Sequence, residues 1–172
     1  MSDSPQPVTI IPADLASEVH QRDVLLLTDA YARDAMGGSA PLAAAVREQL
    51  IAGLRGHPTT LILLAYLDGR AVGIATCFLG FSTFAARPLI NVHDLAVLPE
   101  FRGRGIGRQL LAAVETKARE LGCCKLTLEV QEFNRRARQT YEGAGFRQAS
   151  CGEANGGALF YAKPLSALER QD

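Results

Sequence analysis

Two rhythms of apolar and polar positions run along this chain. After the polar, proline-broken "MSDSPQPV", the run "VTIIPA" reads as a first strand behind a loose tail over residues 1–7. Helical spacing then predicts helices over Asp14 to Ala35 and Pro41 to Leu54, with "MGGSA" as the loop between them. "TTLILLAYLDGRAVGIATCFL" predicts two strands joined at Asp68-Gly69, a strong hairpin signal. "GFSTFAARP" reads as a loop or a bulged strand end, and "LINVHDLAV" as the next strand, stopped at Pro99. Ile106, Leu110, Leu111, Val114 and Leu121 then recur at helical spacing, with Gly122 placed as a C-terminal stop. "KLTLEV" is a further strand, Asn134 to about Gly143 a further helix, and "FRQAS" and "ALFYAKPL" close the chain as strands, with a tail over residues 165–172. There is no internal repeat and no linker. The order predicts a single α+β domain over residues 1–172, centred on one sheet.

Composition narrows the partners. A chain of 172 residues supports one substantial core rather than two. Lys plus Arg equals Asp plus Glu at 18 each, so no global field draws nucleic acid and charged partners are met locally. The four cysteines form no C-x-x-C pair, and no histidine stands at zinc spacing, so no metal is expected. With no amino-terminal signal and no apolar run beyond "LILLAYL", the expectation is a soluble cytoplasmic protein without a membrane partner.

Candidate chemistry gathers in "NVHDLAVLPEFRGRGIGRQLL". Gly103, Gly105 and Gly107 are a poor way to begin a helix, since glycine is about 1 kcal/mol worse than alanine there. A strand that turns straight into a helix, however, presents unpaired N–H groups and partial positive charge to an anion. Glycines would admit a phosphate close to the backbone, and Arg102, Arg104 and Arg108 could add charge around it. A dinucleotide-binding G-x-G-x-x-G fails because Arg108 stands where its last glycine would be, and a Walker loop lacks its G-K-[ST]. A tight structural turn with solvated arginines accounts for the glycines alone equally well.

The wider pattern separates these readings. Arg102-x-x-Gly105-x-Gly107, preceded by "DLAVLPEF" and followed by "LEVQEFNRRARQTYEGAGF", closely resembles the acetyl-coenzyme A signature of the GNAT superfamily of N-acetyltransferases. The likeness covers roughly Leu89 to Phe146. It implies a GNAT fold: a mixed sheet of about six to seven strands flanked by about four helices, with a splayed strand pair admitting the cofactor arm. It further implies that Leu95, Ala96 and Val97 offer backbone hydrogen bonds to the pantetheine and acetyl carbonyl, while Gly103, Arg104, Gly105, Ile106, Gly107 and Arg108, with Arg102, cradle the pyrophosphate. Asn134, Ala137 and Tyr141 share one helix face, Asn134 and Tyr141 being about 10 Å apart along the axis. The resemblance places Asn134 on the cofactor and Tyr141 near its sulfur. Asn134 is equally a helix N-cap, and Tyr141 alone would be a core aromatic. Arg135, Arg136 and Arg138 read as a solvated face.

Amide formation from a thioester needs a base for the ammonium, a donor for the oxyanion and an acid for the departing thiolate. Tyr141 is the expected acid. Glu129 stands where the ribosomal-protein acetyltransferases of the superfamily carry their base, and His93 where the polyamine enzymes carry a strand glutamate. Each is as readily structural: an outward strand residue and a hydrogen-bonded core histidine. Asp94 is a weaker candidate, because strict alternation puts it on the face opposite His93. The expectation is acetyl transfer from acetyl-CoA to a primary amine (small amine, polyamine or amino-acid-like) in a ternary complex. A protein N-terminal or lysine acetyltransferase and a non-catalytic acyl-CoA sensor are the alternatives, and self-association as a homodimer stays open.

Overall fold

The computed structural model describes residues 7–148. Within them a sheet of five strands runs in the order β1 (Thr9–Pro12), β2 (Thr60–Leu67), β3 (Arg70–Ser82), β4 (Arg87–Val97), β5 (Leu126–Leu128). The first three pairings are antiparallel and β4–β5 is parallel. Helices α1 (Glu18–Arg33) and α2 (Ala44–Gly56) follow β1, α3 (Ile106–Glu120) links β4 to β5, and α4 (Arg135–Gly143) follows β5. The sheet is mixed and the class is α+β, as the sequence predicts. "ALFYAKPL" lies outside the described residues, as do Ala149 and Ser150 of "FRQAS", and residues 146–148 are not in a strand.

Each face of the sheet has its own core. Side chains from Leu63, Val72, Ala75, Ile90 and Val92 meet Ile106, Leu110 and Val114 of α3 on one side. Ile62, Leu64 and Ile74 meet Val24 and Leu27 of α1 on the other. The hairpin at Asp68-Gly69 has positive φ at both residues, 50° and 74°, which matches the right-handed twist of the strands it joins.

Several element ends differ from expectation for local reasons. Helix α1 starts later than Asp14 because the Asp14 carboxylate accepts from Ala16 N–H (2.8 Å) and its carbonyl from Ser17 N–H (3.0 Å), which makes a turn first. Helix α2 starts later than Pro41 because Leu42 N–H donates to Asp29 Oδ1 at 2.9 Å. "GFSTFAARP" is largely strand: Phe81 still pairs with Pro88 and Ser82 with Arg87. "KLTLEV" shrinks to Leu126–Leu128, since β5 meets β4 only at Ile90, Asn91 and Val92.

The decisive irregularity lies in β4. Thr76 pairs with Asp94 but Cys77 pairs with Val92, so His93 is an extra residue, a β-bulge. Directly opposed residues point to one face. Asp94 therefore shares the face of Thr76, as Ala96 shares that of Ile74, and His93 reaches the same face, its ring 5.5 Å from that of Phe78. Strict alternation fails here, and Asp94 lies on the same side as His93 rather than opposite it. His93 is exposed, not a core histidine.

Helices α1 and α2 are held together electrostatically. Asp29, buried on α1, bonds Arg33 Nε and Arg47 Nη1 (both 2.9 Å) as well as the Leu42 amide. These partners, the Arg33 hydrogen bond foremost, draw its carboxyl from the ordinary 3.8 down to about 2. A depressed carboxylate stabilises the fold above its ordinary pKa and ceases to do so as pH falls through the lowered one. Asp29→Asn should thus lower the thermal midpoint at neutral pH, and the gap from wild type should close between about pH 4 and pH 2. Thermal melts across that range check it.

Candidate active site

A cavity of about 470 Å³ opens where β4 and β5 part. Val92 is the last residue of β4 paired to β5, and the bulge follows it at once, bending β4 away. Among the described residues no strand covers the outer edge of 93–97. Leu98 N–H donates to Val72 O at 2.9 Å, so the Val97 carbonyl, across the same peptide, points outward. Alternation puts the N–H and C=O of Leu95 on that same edge. Leu95, Ala96 and Val97 all line the cavity.

Its far wall is built from two helix N-termini. The first backbone bond of α3 runs from Gln109 N–H to Gly105 O at 3.1 Å, so the amides of Ile106, Gly107 and Arg108 have no intrahelical partner. Gly103 and Gly105 stand at φ 80° and 77°, and a Cβ at either would meet nothing within 4 Å. Backbone conformation, not crowding inside the protein, is what asks for glycine there. Gly107 differs: a Cβ on it would sit 3.8 Å from Thr140 of α4. Helix α4 begins at Asn134, whose Oδ1 accepts from Ala137 N–H at 3.1 Å, so the asparagine is an N-cap and lines the cavity as well. Unpaired amides and two helix dipoles thus meet at one opening, a setting that suits phosphate oxygens.

The arginines are less free than their spacing suggests. Arg102 donates from Nε to Val97 O (2.9 Å) and from Nη2 to Asp34 Oδ2 (2.6 Å). Arg104 lies over the Phe101 ring at 5.3 Å. Arg108 packs against α4, its Nη2 2.9 Å from where a Cβ on Gly143 would stand. Arg136, read from sequence as part of a solvated face, lines the cavity, and so does Thr140. The spacing was the signal for both: Thr140 stands three residues after Ala137 and four after Arg136, on one stretch of helix surface. Tyr31, Asp34 and Met36 form the opposite lip. No local pattern marks them, because they reach the site only through the packing of α1.

Tyr141 lines the cavity and packs on Phe146, ring centroids 6.1 Å apart. Burial, followed by the nearby Tyr31 and Asp94 groups, pushes its phenol up to about 12, so it carries its proton throughout the neutral range. Asp94 is also raised, by burial first, with the His93 charge acting in the opposite direction. Glu129 is exposed one residue beyond β5, and none of Glu129, His93 and Asp94 lines the cavity. Among the described residues no group of His, Cys, Asp and Glu could hold a metal ion, and no helix is long and apolar enough to cross a membrane.

The sequence profile of the acetyltransferase (GNAT) family matches residues 26–146, and the chain belongs to that family. It is 33% identical over 99 residues to an uncharacterized N-acetyltransferase of Bacillus subtilis, covering 58% of this chain and 66% of the relative. It is 35% identical over 89 residues to a thialysine N-epsilon-acetyltransferase of Bos taurus, covering 52% and 51%. The chain thus spans between half and two thirds of the length of the curated relatives it matches. Among solved structures, a probable acetyltransferase superposes with a TM-score of 0.76 at 23% identity, covering 92% of this chain and 98% of that one. An aminoglycoside N-acetyltransferase in complex with CoA superposes at 0.70 and 19%, covering 96% and 100%. These likenesses show the GNAT fold.

The left-handed backbone at Gly105 yields a direct test. A β-branched residue at that φ costs on the order of 1–3 kcal/mol of strain. Gly105→Val should lower the thermal midpoint and weaken coenzyme A binding in calorimetry, whereas Arg102→Ala should weaken binding much less.

Proposed function

We propose that the chain is an acetyl-CoA-dependent N-acetyltransferase that moves an acetyl group to a primary amine by direct transfer in a ternary complex. The observation that carries this reading is the parting of β4 from β5 at the bulge. It leaves an open backbone edge leading to the two helix N-termini, with Tyr141 beside it. The edge suits the amide-bearing pantetheine arm, and the amides at the start of α3 suit the pyrophosphate. A small amine acceptor is supported by the thialysine acetyltransferase among the relatives. The three described cysteines are free thiols, which supports a reducing, cytoplasmic setting, and residues 1–172 are taken as one catalytic domain.

Transfer places three demands on the residues. The amine must shed a proton before its nitrogen can attack the thioester carbonyl carbon. The oxygen gains negative charge as the new C–N bond forms, and an outward N–H on the Leu95–Val97 edge is the donor we assign to it. When the C–S bond breaks, the departing sulfur takes a proton, which the Tyr141 phenol, neutral at physiological pH, can donate, and the second proton shed by the attacking nitrogen as the amide forms restores the phenol. No covalent enzyme intermediate is needed, which leaves the cysteines without a catalytic part.

For the base, His93 and Glu129 are joined by Asp94. The bulge sets Asp94 beside His93 on one face, where burial raises the carboxyl and brings it nearer to the working range of a base.

Free thiol release from acetyl-CoA across amines, amino acids and peptides tests the activity; no release with any acceptor, despite tight coenzyme A binding, would favour a sensor. On the best acceptor, Tyr141→Phe should lower turnover with cofactor affinity near wild type. A wild-type rate would return Tyr141 to a packing role. Loss of the true base should reduce kcat/KM by roughly 10² to 10⁴ and remove or displace the acidic limb of the pH profile. Glu129→Gln, His93→Ala and Asp94→Asn, compared side by side, identify it. Three unchanged profiles would assign proton removal to water.

A further inference from the structure

We propose that Arg102 and Asp34 form a positioning pair that fastens the α1–α2 connection to the end of β4, so that filling the cofactor cradle also orders the lip of the site that carries Tyr31 and Met36. The inference rests on the acetyl-transfer reading above.

Asp34 organises the connection together with the Ala32 carbonyl, which accepts from the amides of Gly38 (3.0 Å) and Ala40 (3.2 Å). Asp34 caps α1, its N–H bonding Tyr31 O at 3.0 Å. Its carbonyl accepts from the amides of Gly37 (2.9 Å) and Ser39 (3.1 Å), and its Oδ1 from the amide of Met36 (2.8 Å). The remaining oxygen, Oδ2, holds Arg102 Nη2 at 2.6 Å across 68 residues of chain. Arg102 in turn donates from Nε to the outward carbonyl of Val97. One guanidinium therefore bridges the lip that carries Tyr31 and Met36 to the strand edge expected to hold the pantetheine arm.

The pair is shielded enough to matter. Side-chain exposure is 30% for Arg102 and 17% for Asp34, unlike the open Arg70–Glu100 pair at 59% and 52%. The Met36 amide and Arg102 both hold the Asp34 carboxyl below its ordinary range, so it is ionised at neutral pH. An arginine neutralised by a carboxylate at this distance contributes little net charge to a phosphate. A planar fork with two fixed acceptors is instead suited to setting geometry. What it sets is where α1 ends, and so where Tyr31 stands on the cavity, within electrostatic reach of Tyr141.

Hydrogen exchange resolved to single amides tests this without turnover. In the unliganded protein, Arg102→Lys, which keeps the charge but loses the two-point fork, should speed exchange at Met36, Gly37 and Ser39 by roughly tenfold or more. Amides of β2 and β3 should be unaffected. Asp34→Asn, which retains an acceptor for Met36, should act in the same direction and guards against a misfolded arginine variant. Adding coenzyme A should slow the three amides further in wild type and much less in Arg102→Lys. Its affinity by calorimetry should change by less than about threefold, because backbone amides carry the phosphate contact. In turnover, the variants should raise the acceptor KM and lower kcat/KM by about ten- to a hundredfold, as misplacement does. Wild-type exchange at those amides in both variants would overturn the pair. A large loss of coenzyme A affinity with unchanged exchange would make Arg102 a phosphate ligand instead. If coenzyme A failed to bind wild type, the cofactor reading and the ordering claim would both fall, and exchange in the free protein would still decide whether the pair holds the lip.

Discussion

A strand can keep both edges paired only while its neighbours stay in register, and β4 leaves register at His93. The inserted residue bends the strand just after its last bond partner on β5, so the backbone groups of Leu95 and Val97 face outward with no ladder to join. Exposed main-chain donors and acceptors must be met by something. One of them, the Val97 carbonyl, is met by Arg102; the others open on the cavity. The same bulge turns His93 and Asp94 onto one face, which brings a half-buried carboxyl within electrostatic reach of Tyr31 and Tyr141. The open strand edge and the His93–Asp94 pair therefore share one cause.

The electrostatics of the site are local and come largely from the backbone. The chain is balanced in charge, and two arginines of its glycine-rich turn are engaged by protein partners: Arg102 by a carbonyl and a carboxylate, and Arg104 by an aromatic ring. What faces the opening is the unpaired start of α3, reinforced by the N-terminus of α4 and by Arg108 and Arg136, which line the cavity. Positive φ at Gly103 and Gly105 lets the chain turn from strand into helix with those amides pointing outward. Helix dipoles do not titrate and need no flexible side chain to be ordered, which suits them to holding a phosphate.

The lip opposite is organised through carboxylates. Asp29 joins α1 to α2 through Arg33, Arg47 and the Leu42 amide, and Asp34 folds the connection around itself before reaching Arg102. Both carboxyls are drawn below their ordinary range by those bonds. The α1–α2 wall is thus placed by directional polar contacts as well as by the packing of Val24 and Leu27 on the sheet.

Much of this was legible in the sequence, because local physics decides it. Asp68-Gly69 forces a hairpin whatever surrounds it, the 3.6-residue apolar spacing of Ile106 to Val114 requires a helix buried on one side, and Asn134 three residues before Ala137 is an N-cap within its own segment. The glycine and arginine spacing pointed to the family and to the region of the site. Only the tertiary structure decided the rest. The bulge at His93 depends on the register of β3 against β4, a relation between distant segments, and it reversed the side on which Asp94 was expected. The short β5, the entry of Tyr31 and Asp34, and the capture of Arg102 by Asp34 all need partners far along the chain. Residue type and spacing state what a side chain can do; which partner it meets is set only when the sheet and the helices close around it.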